Sequence, residues 1–169
     1  MRQPKEAAFR EFAEARMGPL FRSACLLTGG DTHLAEDLVQ ETLGRMYAMW
    51  GRSSRIGNPA AYAHTVLVRC YLRYRRRKSS GERPIGELPD RPGESAGDAS
   101  LRVALLDALR GLPPKDRAVI VLRYWEDRSV VETADALHVS SAAVRTRSTR
   151  ALARLRDQLG DNIGELAVH

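Results

Sequence analysis

The sequence has few cysteines, and they lie far apart. Only two occur in 169 residues, Cys25 and Cys70, and neither belongs to a CxxC motif or a His/Cys cluster. A structural zinc site or a disulfide framework needs cysteines at short, regular spacing. We therefore expect no metal and no cofactor, and we expect both thiols to be small core residues in a reducing compartment.

Long apolar runs are also missing. The first residues, MRQPKEAAFREF, lack the apolar stretch of a signal peptide. No segment approaches the ~18 uninterrupted apolar residues that cross a bilayer. These absences predict a soluble, cytoplasmic chain without a membrane span.

Aromatic residues make up only 6% of the chain, whereas Ala, Leu, Arg and Glu are abundant. Ala and straight-chain residues lose little entropy in a helix, so this composition favours an all-α fold. The net charge is +6 and the pI is about 9.8, which indicates a polyanionic partner.

The composition divides the chain into three zones. Residues 79–99 are rich in Gly, Pro, Ser and acidic residues, and their apolar residues show no regular spacing. We therefore expect a flexible linker there. It joins two small helical domains, 1–78 and 100–169. Apolar spacing predicts three helices in the first domain and four in the second, at about 5–27 (broken near Gly18–Pro19), 33–50, 59–77, 101–110, 113–124, 129–137 and 140–157.

The last two helices form a helix-turn-helix pattern. Ser129 and Glu132 have the spacing of a capping box, and His138-Val139-Ser140 supplies the turn. His138 stands where glycine is common, and histidine tolerates the positive φ that such a turn requires.

The polar face of the second helix is strongly basic. Arginine pairs with guanine edges or phosphates, and threonine pairs with either, so this face suits duplex DNA. The alternative is a solvated hairpin with incidental arginines. The residues that we expect to meet DNA are Ser141, Arg145, Thr146, Thr149 and Arg150.

The helix at 33–50 has two unlike faces. Asp37, Gln40, Glu41 and Gly44 lie opposite an apolar stripe. Such an acidic face suits docking of a basic partner surface. The alternative is solvation together with complementation of the helix dipole.

The helix that follows ends in RCYLRYRRRK, from Arg69 to Lys78. This stretch has six positive charges, no acid and two interleaved tyrosines, Tyr71 and Tyr74. Basic side chains beside aromatic rings are what melted DNA requires, because phosphates meet arginine while bases stack on rings. The alternative is a solvated basic helix end.

Two stretches carry a family resemblance. "LLTGGDTHLAEDLVQETLGRMY" with "NPAAYAHTVLVRCYLRYRRRK" resembles the polymerase-binding and promoter-melting domain of sigma factors. "LPPKDRAVIVLRYWEDRSVVETADALHVSSAAVRTRSTRALARLR" is similar to their C-terminal domain. With two domains and a short linker, the chain looks like the extracytoplasmic-function (ECF) group, and within it like the compact SigE-like actinobacterial members.

The resemblance implies a role for each surface. Core RNA polymerase, through its clamp helices and flap, and promoter DNA, both duplex and melted, would be partners, and an anti-sigma factor is a further candidate. The segment implied to meet the clamp helices is Asp37, Leu38, Val39, Gln40 and Glu41. The residues implied at the minus-ten element are Asn58 with the loop before it, Tyr62, Arg69, Arg73, Tyr74, Arg76 and Arg77. The exposed stripe of the second helix would read the minus-thirty-five element.

From this resemblance we predict a sigma factor. We also predict that it is not an enzyme, because neither helical zone contains a nucleophile–base pair or a metal-ligand set. Two alternatives stay open. One is a conventional dimeric helix-turn-helix regulator that does not bind polymerase stably. The other is an adaptor or anti-sigma protein whose basic patches bind acidic protein.

Overall fold

The computed structural model describes residues 3–55, 57–80 and 98–160. In these ranges every regular element is helical, as the composition predicts. The α-helices are α1 Gln3–Thr28, α2 Thr32–Ala48, α3 Pro59–Ser80, α4 Asp98–Arg110, α5 Pro114–Ile120, α6 Val130–Leu137 and α7 Ser141–Leu159. A 3₁₀ segment, Trp50–Arg55, follows α2, and a π-helical segment, Val121–Trp125, follows α5.

Most of the predicted linker, residues 81–97, lies outside the described residues. Helix α3 continues to Ser80 and α4 begins at Asp98, so each helix extends two residues into the segment expected to be linker.

Helix α1 is continuous, and the break expected near Gly18–Pro19 is wrong. A proline inside a helix costs about 3 kcal/mol. The residues that follow it on the inner face, Leu20, Ala24 and Leu27, are fully buried. Because a fully buried leucine stabilises by about 1.5–3 kcal/mol, the packing of Leu20 and Leu27 outweighs the proline.

Side-chain caps begin α2 and α6, and the one at α6 is the predicted capping box. The Leu34 N–H donates to Asp31 Oδ1 (3.1 Å), which starts α2. Ser129 and Glu132 form the capping box of α6. His138 adopts the left-handed conformation, with φ 56° and ψ 45°, and turns the chain into α7. These ends are set by local side-chain to backbone hydrogen bonds, which explains why the sequence could predict them.

One hydrophobic cluster contains buried residues from both halves of the chain, and two smaller clusters lie in the C-terminal half. Helices α1, α2 and α3 pack together, and α4 to α7 form the second helical unit. From the first half, Leu67 and Tyr71 of α3 are fully buried, and the same cluster includes Ala118, Leu122 and Ala136 from the second half. The C-terminal half is therefore seated on α1 and α3.

Candidate nucleic-acid and protein-binding surfaces

The acidic face of α2 comprises Asp37, Gln40 and Glu41. Asp37 and Gln40 are exposed, and Glu41 is half-exposed. Glu41 accepts from Arg45 on its own helix (3.2 Å) and lies 3.7 Å from Arg73 Nη1 of α3. A Cβ added at the neighbouring Gly44 would meet nothing within 4 Å, so the surface beside the acidic face is open.

Leu38 and Val39, predicted in the same binding segment, are buried at 2% and 5% exposure. Their side chains hold α2 against the core. In this arrangement a partner surface can meet Asp37, Gln40 and Glu41, but it cannot meet Leu38 or Val39.

The end of α3 forms a second surface, the basic end, which comprises Arg73 to Lys78. Arg76, Arg77 and Lys78 are exposed, and Tyr74 is half-buried. The Lys78 ammonium lies 5.7 Å from the centre of the Tyr74 ring, a cation–π geometry. Positive charge and an accessible ring are thus brought together here.

Tyr71 does not belong to that surface. It is fully buried, and its hydroxyl accepts a hydrogen bond from Arg117 Nη1 (2.8 Å). Burial raises the pKa of Tyr71 although the charge of Arg117 opposes the shift. The expectation that Tyr71 is an accessible stacking ring is therefore wrong: its spacing predicts a helix face, but not that the C-terminal half covers this face.

Asn58 caps α3. Its Oδ1 accepts from the Ala61 N–H (3.1 Å), and its side chain is exposed, while Tyr62 is half-buried. Asn58 lies on the rim of a crevice of about 430 Å³ between α1, the start of α3 and residues 125–128. Of the loop before Asn58, Ile56 lies outside the described residues.

A buried polar chain forms one wall of this crevice. His64 Nδ1 lies 2.8 Å from Glu126 Oε1, and both side chains are more than nine-tenths buried. Arg16 Nη2 lies 3.2 Å from His64 Nε2. Because arginine only donates, Nε2 of His64 accepts from Arg16. Its Nδ1 faces both Glu126 Oε1 and, at 3.4 Å, Ser23 Oγ. The side chains of Arg16, His64 and Glu126 connect α1, α3 and the C-terminal half of the protein.

Arg69 also connects the halves. Its Nε donates to Ala136 O (2.9 Å) and its Nη2 to Asp135 O (3.3 Å) at the carboxyl end of α6. The last carbonyls of a helix lack intrahelical partners and attract cations. A residue predicted to meet DNA is therefore engaged by the other half of the chain.

Arg128, which the sequence reading missed, reinforces this contact. It is 9% exposed and donates to Thr65 Oγ1 (2.7 Å) and to the Ala61 carbonyl of α3. Arg117, likewise missed, donates to Leu27 O (2.7 Å) as well as to Tyr71. Single arginines carry no periodic signal, so only the tertiary packing reveals these contacts.

Helix α7 presents the third surface, its reader face. Its inner side is buried through Val144, Ser148, Ala151 and Leu155. On the outer side Arg145, Thr146 and Thr149 are exposed, and Ser141 is half-buried.

Arg150, the fifth residue predicted to contact DNA on this helix, is held by two hydrogen bonds. Its Nε and Nη2 donate to Asp116 of α5 at 3.1 and 2.9 Å. Arg147 Nη1 donates to the same carboxylate at 2.7 Å. Asp116 is a further residue that the sequence reading missed, because a lone acid in the first turn of a helix ordinarily complements the dipole.

These features define a helical protein with a helix-turn-helix and a separate basic, aromatic helix end. The family model "Sigma-70 region 2" matches residues 15–81, and "Sigma-70, region 4" matches residues 102–155. The chain belongs to the sigma-70 family of RNA polymerase sigma factors, in its ECF group.

Named relatives agree. The chain is 38% identical over 152 residues to the RNA polymerase sigma-E factor of Streptomyces coelicolor, covering 89% of this chain and 85% of that protein. It is 36% identical over 160 residues to the sigma-E factor of Streptomyces antibioticus, covering 94% and 88%.

Solved structures share the fold. The sigma factor RpoE from Bartonella quintana, crystallised with the anti-sigma factor NepR, matches with a TM-score of 0.72 at 23% identity, covering 92% of this chain and 98% of that one. CnrH in complex with the cytosolic domain of CnrY matches with a TM-score of 0.62 at 24% identity, covering 91% and 88%. None of the helices in the described part of this chain has the length and apolarity to span a bilayer.

Proposed function

We propose that this chain binds core RNA polymerase in the cytoplasm and directs it to specific promoters. The observation that carries the proposal is the order of the two family regions along one chain, with an acidic face on the first and a reader face on the second. The role requires no covalent chemistry from the chain itself.

The proposed domains divide the work. Residues 1–78 bind polymerase and melted DNA, 79–99 link the domains, and 100–169 bind the flap and duplex DNA. Asp37, Gln40 and Glu41 meet the clamp helices, since all three side chains reach solvent. Leu38 and Val39 support them from the core.

At the minus-ten element, we propose that the melted strand runs along α3. Asn58 and Tyr62 receive an unpaired base, while phosphates and further bases meet the basic end. The exposure of the basic end and the ring of Tyr74 beside Lys78 support this role. The proposed strand-binding residues are Asn58, Tyr62, Arg69, Arg73, Tyr74, Arg76 and Arg77.

This role requires the halves to separate. Arg69 donates through Nε and Nη2 to the end of α6, and a given N–H cannot donate to α6 and to a phosphate at once. We propose that polymerase binding draws the C-terminal half away from α3 and so releases Arg69. An anti-sigma factor that binds the free chain would act on this same equilibrium.

At the minus-thirty-five element, α7 enters the major groove. Arg145, Thr146, Thr149 and Arg150 meet base edges or phosphates, and Ser141 lies at the helix start. A dimeric regulator remains the second class, but nothing among the described residues favours it over a polymerase subunit.

The polymerase contact is tested by charge reversal. Asp37→Arg with Glu41→Arg places two positive charges on the acidic face, so we expect about tenfold or greater loss of core binding, because like charges repel across an interface. Co-purification with core polymerase and run-off transcription on promoter fragments measure it.

The matched control is Glu11→Arg with Glu14→Arg, which reverses two exposed acids on α1. If both double variants bind core polymerase as the wild type does, the acidic face is not the docking surface. If the wild type starts no transcripts with core polymerase, the proposed function itself is wrong.

A further inference from the structure

Two arginines of α7 converge on one buried carboxylate. Asp116 lies in the first turn of α5 and is 0% exposed. Arg150 donates to both of its oxygens, and Arg147 donates to Oδ1. The contact spans 34 residues of sequence for Arg150, so it joins the reader face to a separate helix.

The carboxylate stays ionised. Burial would raise the pKa of Asp116, but the hydrogen bonds from Arg150 and Arg147 outweigh it and hold the pKa below its ordinary value. A bidentate arginine–carboxylate pair fixes the plane of the guanidinium as well as its position. Arg150 is therefore held in one orientation before any DNA arrives.

The hydrogen bonds to Asp116 leave one end of the Arg150 guanidinium available to a further partner. A guanidinium has five N–H donors. Arg150 uses Nε–H and one Nη2–H on Asp116, so the end formed by Nη1 and the second Nη2–H remains. The side chain is 52% exposed. That end has the geometry that pairs with O6 and N7 of guanine in the major groove.

We propose that Asp116 is a positioning residue that makes Arg150 the guanine reader of this chain. The inference rests on the proposed function and deepens it, since it names the base selected at one minus-thirty-five position. Fixing an arginine costs rotamer entropy, and here that cost falls on folding rather than on DNA binding.

Two neighbours have other roles. Arg147, with 27% of its side chain exposed, shares the carboxylate and neutralises it. Arg145 is exposed, and the described contacts of its side chain include no such pair of hydrogen bonds. Arg145 therefore adapts to phosphates or to several bases, whereas Arg150 discriminates.

The test uses holoenzyme reconstituted from the full chain and core polymerase, with a duplex promoter library randomised across the upstream element. Selection and sequencing give the base preference at each position. For Asp116→Asn we expect the guanine preference at one position to fall about tenfold or more, with little change elsewhere. Asp116→Glu should restore part of it.

Arg150→Lys serves as a second variant, because it keeps the charge and leaves Asp116 paired with Arg147 while removing the fork. It should lose the preference at the same position. Combining it with Asp116→Asn should produce no further loss there. Asp157→Asn, the same charge change at an exposed site on α7, should leave the preferences unchanged.

A purely structural role predicts a different result. Asp116→Asn would then lower the melting temperature and weaken binding to all sequences equally, with the guanine preference intact, and this outcome would overturn the inference. Lack of any upstream preference in the wild-type holoenzyme would instead contradict the proposed function.

Discussion

The two DNA-contact surfaces proposed for this chain differ in how far its own fold covers them. On α7 the reader face is open, with Arg145, Thr146 and Thr149 exposed. On α3 the middle of the helix is covered, because Arg69 donates to α6 and Tyr71 is buried against Arg117. The described arrangement is thus suited to duplex recognition, while strand capture along α3 requires the halves to part.

The packing of the C-terminal half over the middle of α3 depends on directional polar contacts as well as on apolar contacts. Arg117 and Arg128 reach across the boundary to carbonyl and hydroxyl oxygens of the first half. Such contacts require defined geometry, so they stabilise one arrangement of the halves and are lost together when the halves move apart. Apolar contacts alone would tolerate sliding.

The largest effect is expected from Arg117→Ala. Four acceptors then lose their donor, and we expect the free energy of unfolding to fall by about 2–4 kcal/mol. The acceptors are the carbonyls of Leu27, Arg110 and Leu112 and the Tyr71 hydroxyl. Chemical denaturation measures the change. Arg156→Ala, exposed on α7, should stay within about 0.5 kcal/mol of wild type, and an equal loss in both variants would contradict this role for Arg117.

The contribution of the basic end to DNA binding can be measured separately from that of the covered middle of α3. Replacing Arg75, Arg76 and Arg77 together by alanine removes three potential phosphate contacts. Since each contact to a single strand contributes about 0.7 to the salt slope, the slope should fall by about 2, roughly a 100-fold weaker affinity at 0.1 M salt. Titration of a fluorescent single strand at several salt concentrations checks this. The same three positions changed to lysine should keep the slope, and an unchanged slope in the alanine variant would remove the basic end from the binding surface.

The smallest expected effect is a gain in affinity for single-stranded DNA. Arg128→Ala removes side-chain hydrogen bonds to Thr65 and Ala61 of α3, which join the two halves. If the net contribution is about 1 kcal/mol, opening becomes about fivefold more favourable and single-strand affinity rises accordingly. Fluorescence energy transfer between labels on the two halves should report a larger separation in the same variant.

Thr65→Val tests the other side of this contact, because it removes the hydroxyl acceptor and keeps the shape. The two substitutions should be non-additive, since either one breaks the same hydrogen bond. If Arg128→Ala separates the halves without tightening strand binding, the covered face of α3 does not bind DNA.

Much of the fold was predictable because it is local. The capping box at Ser129 and Glu132, the left-handed turn at His138 and the inner face of α7 all depend on residues within a few positions of one another. The exception is Pro19, where the local signal predicted a break and the burial of Leu20 and Leu27 outweighed it.

The candidate sites were predictable only as helix faces. Periodicity placed Asp37 and Glu41 on one side of α2, and Arg145 and Thr149 on one side of α7, and these side chains do reach solvent at least in part. It could not tell that Tyr71 is shielded, because shielding there depends on which helices pack against α3.

The sequence by itself therefore determined the helices, their caps and the chemical character of each face, since these follow from propensity and from hydrogen bonds between near neighbours. Only the tertiary structure decided which arginines remain open to a partner. Arg117 meets Leu27 across 90 residues, Arg69 meets Ala136 across 67, and Arg150 meets Asp116 across 34. A contact between distant residues exists only when the packed core brings both to one place, and no local pattern records it.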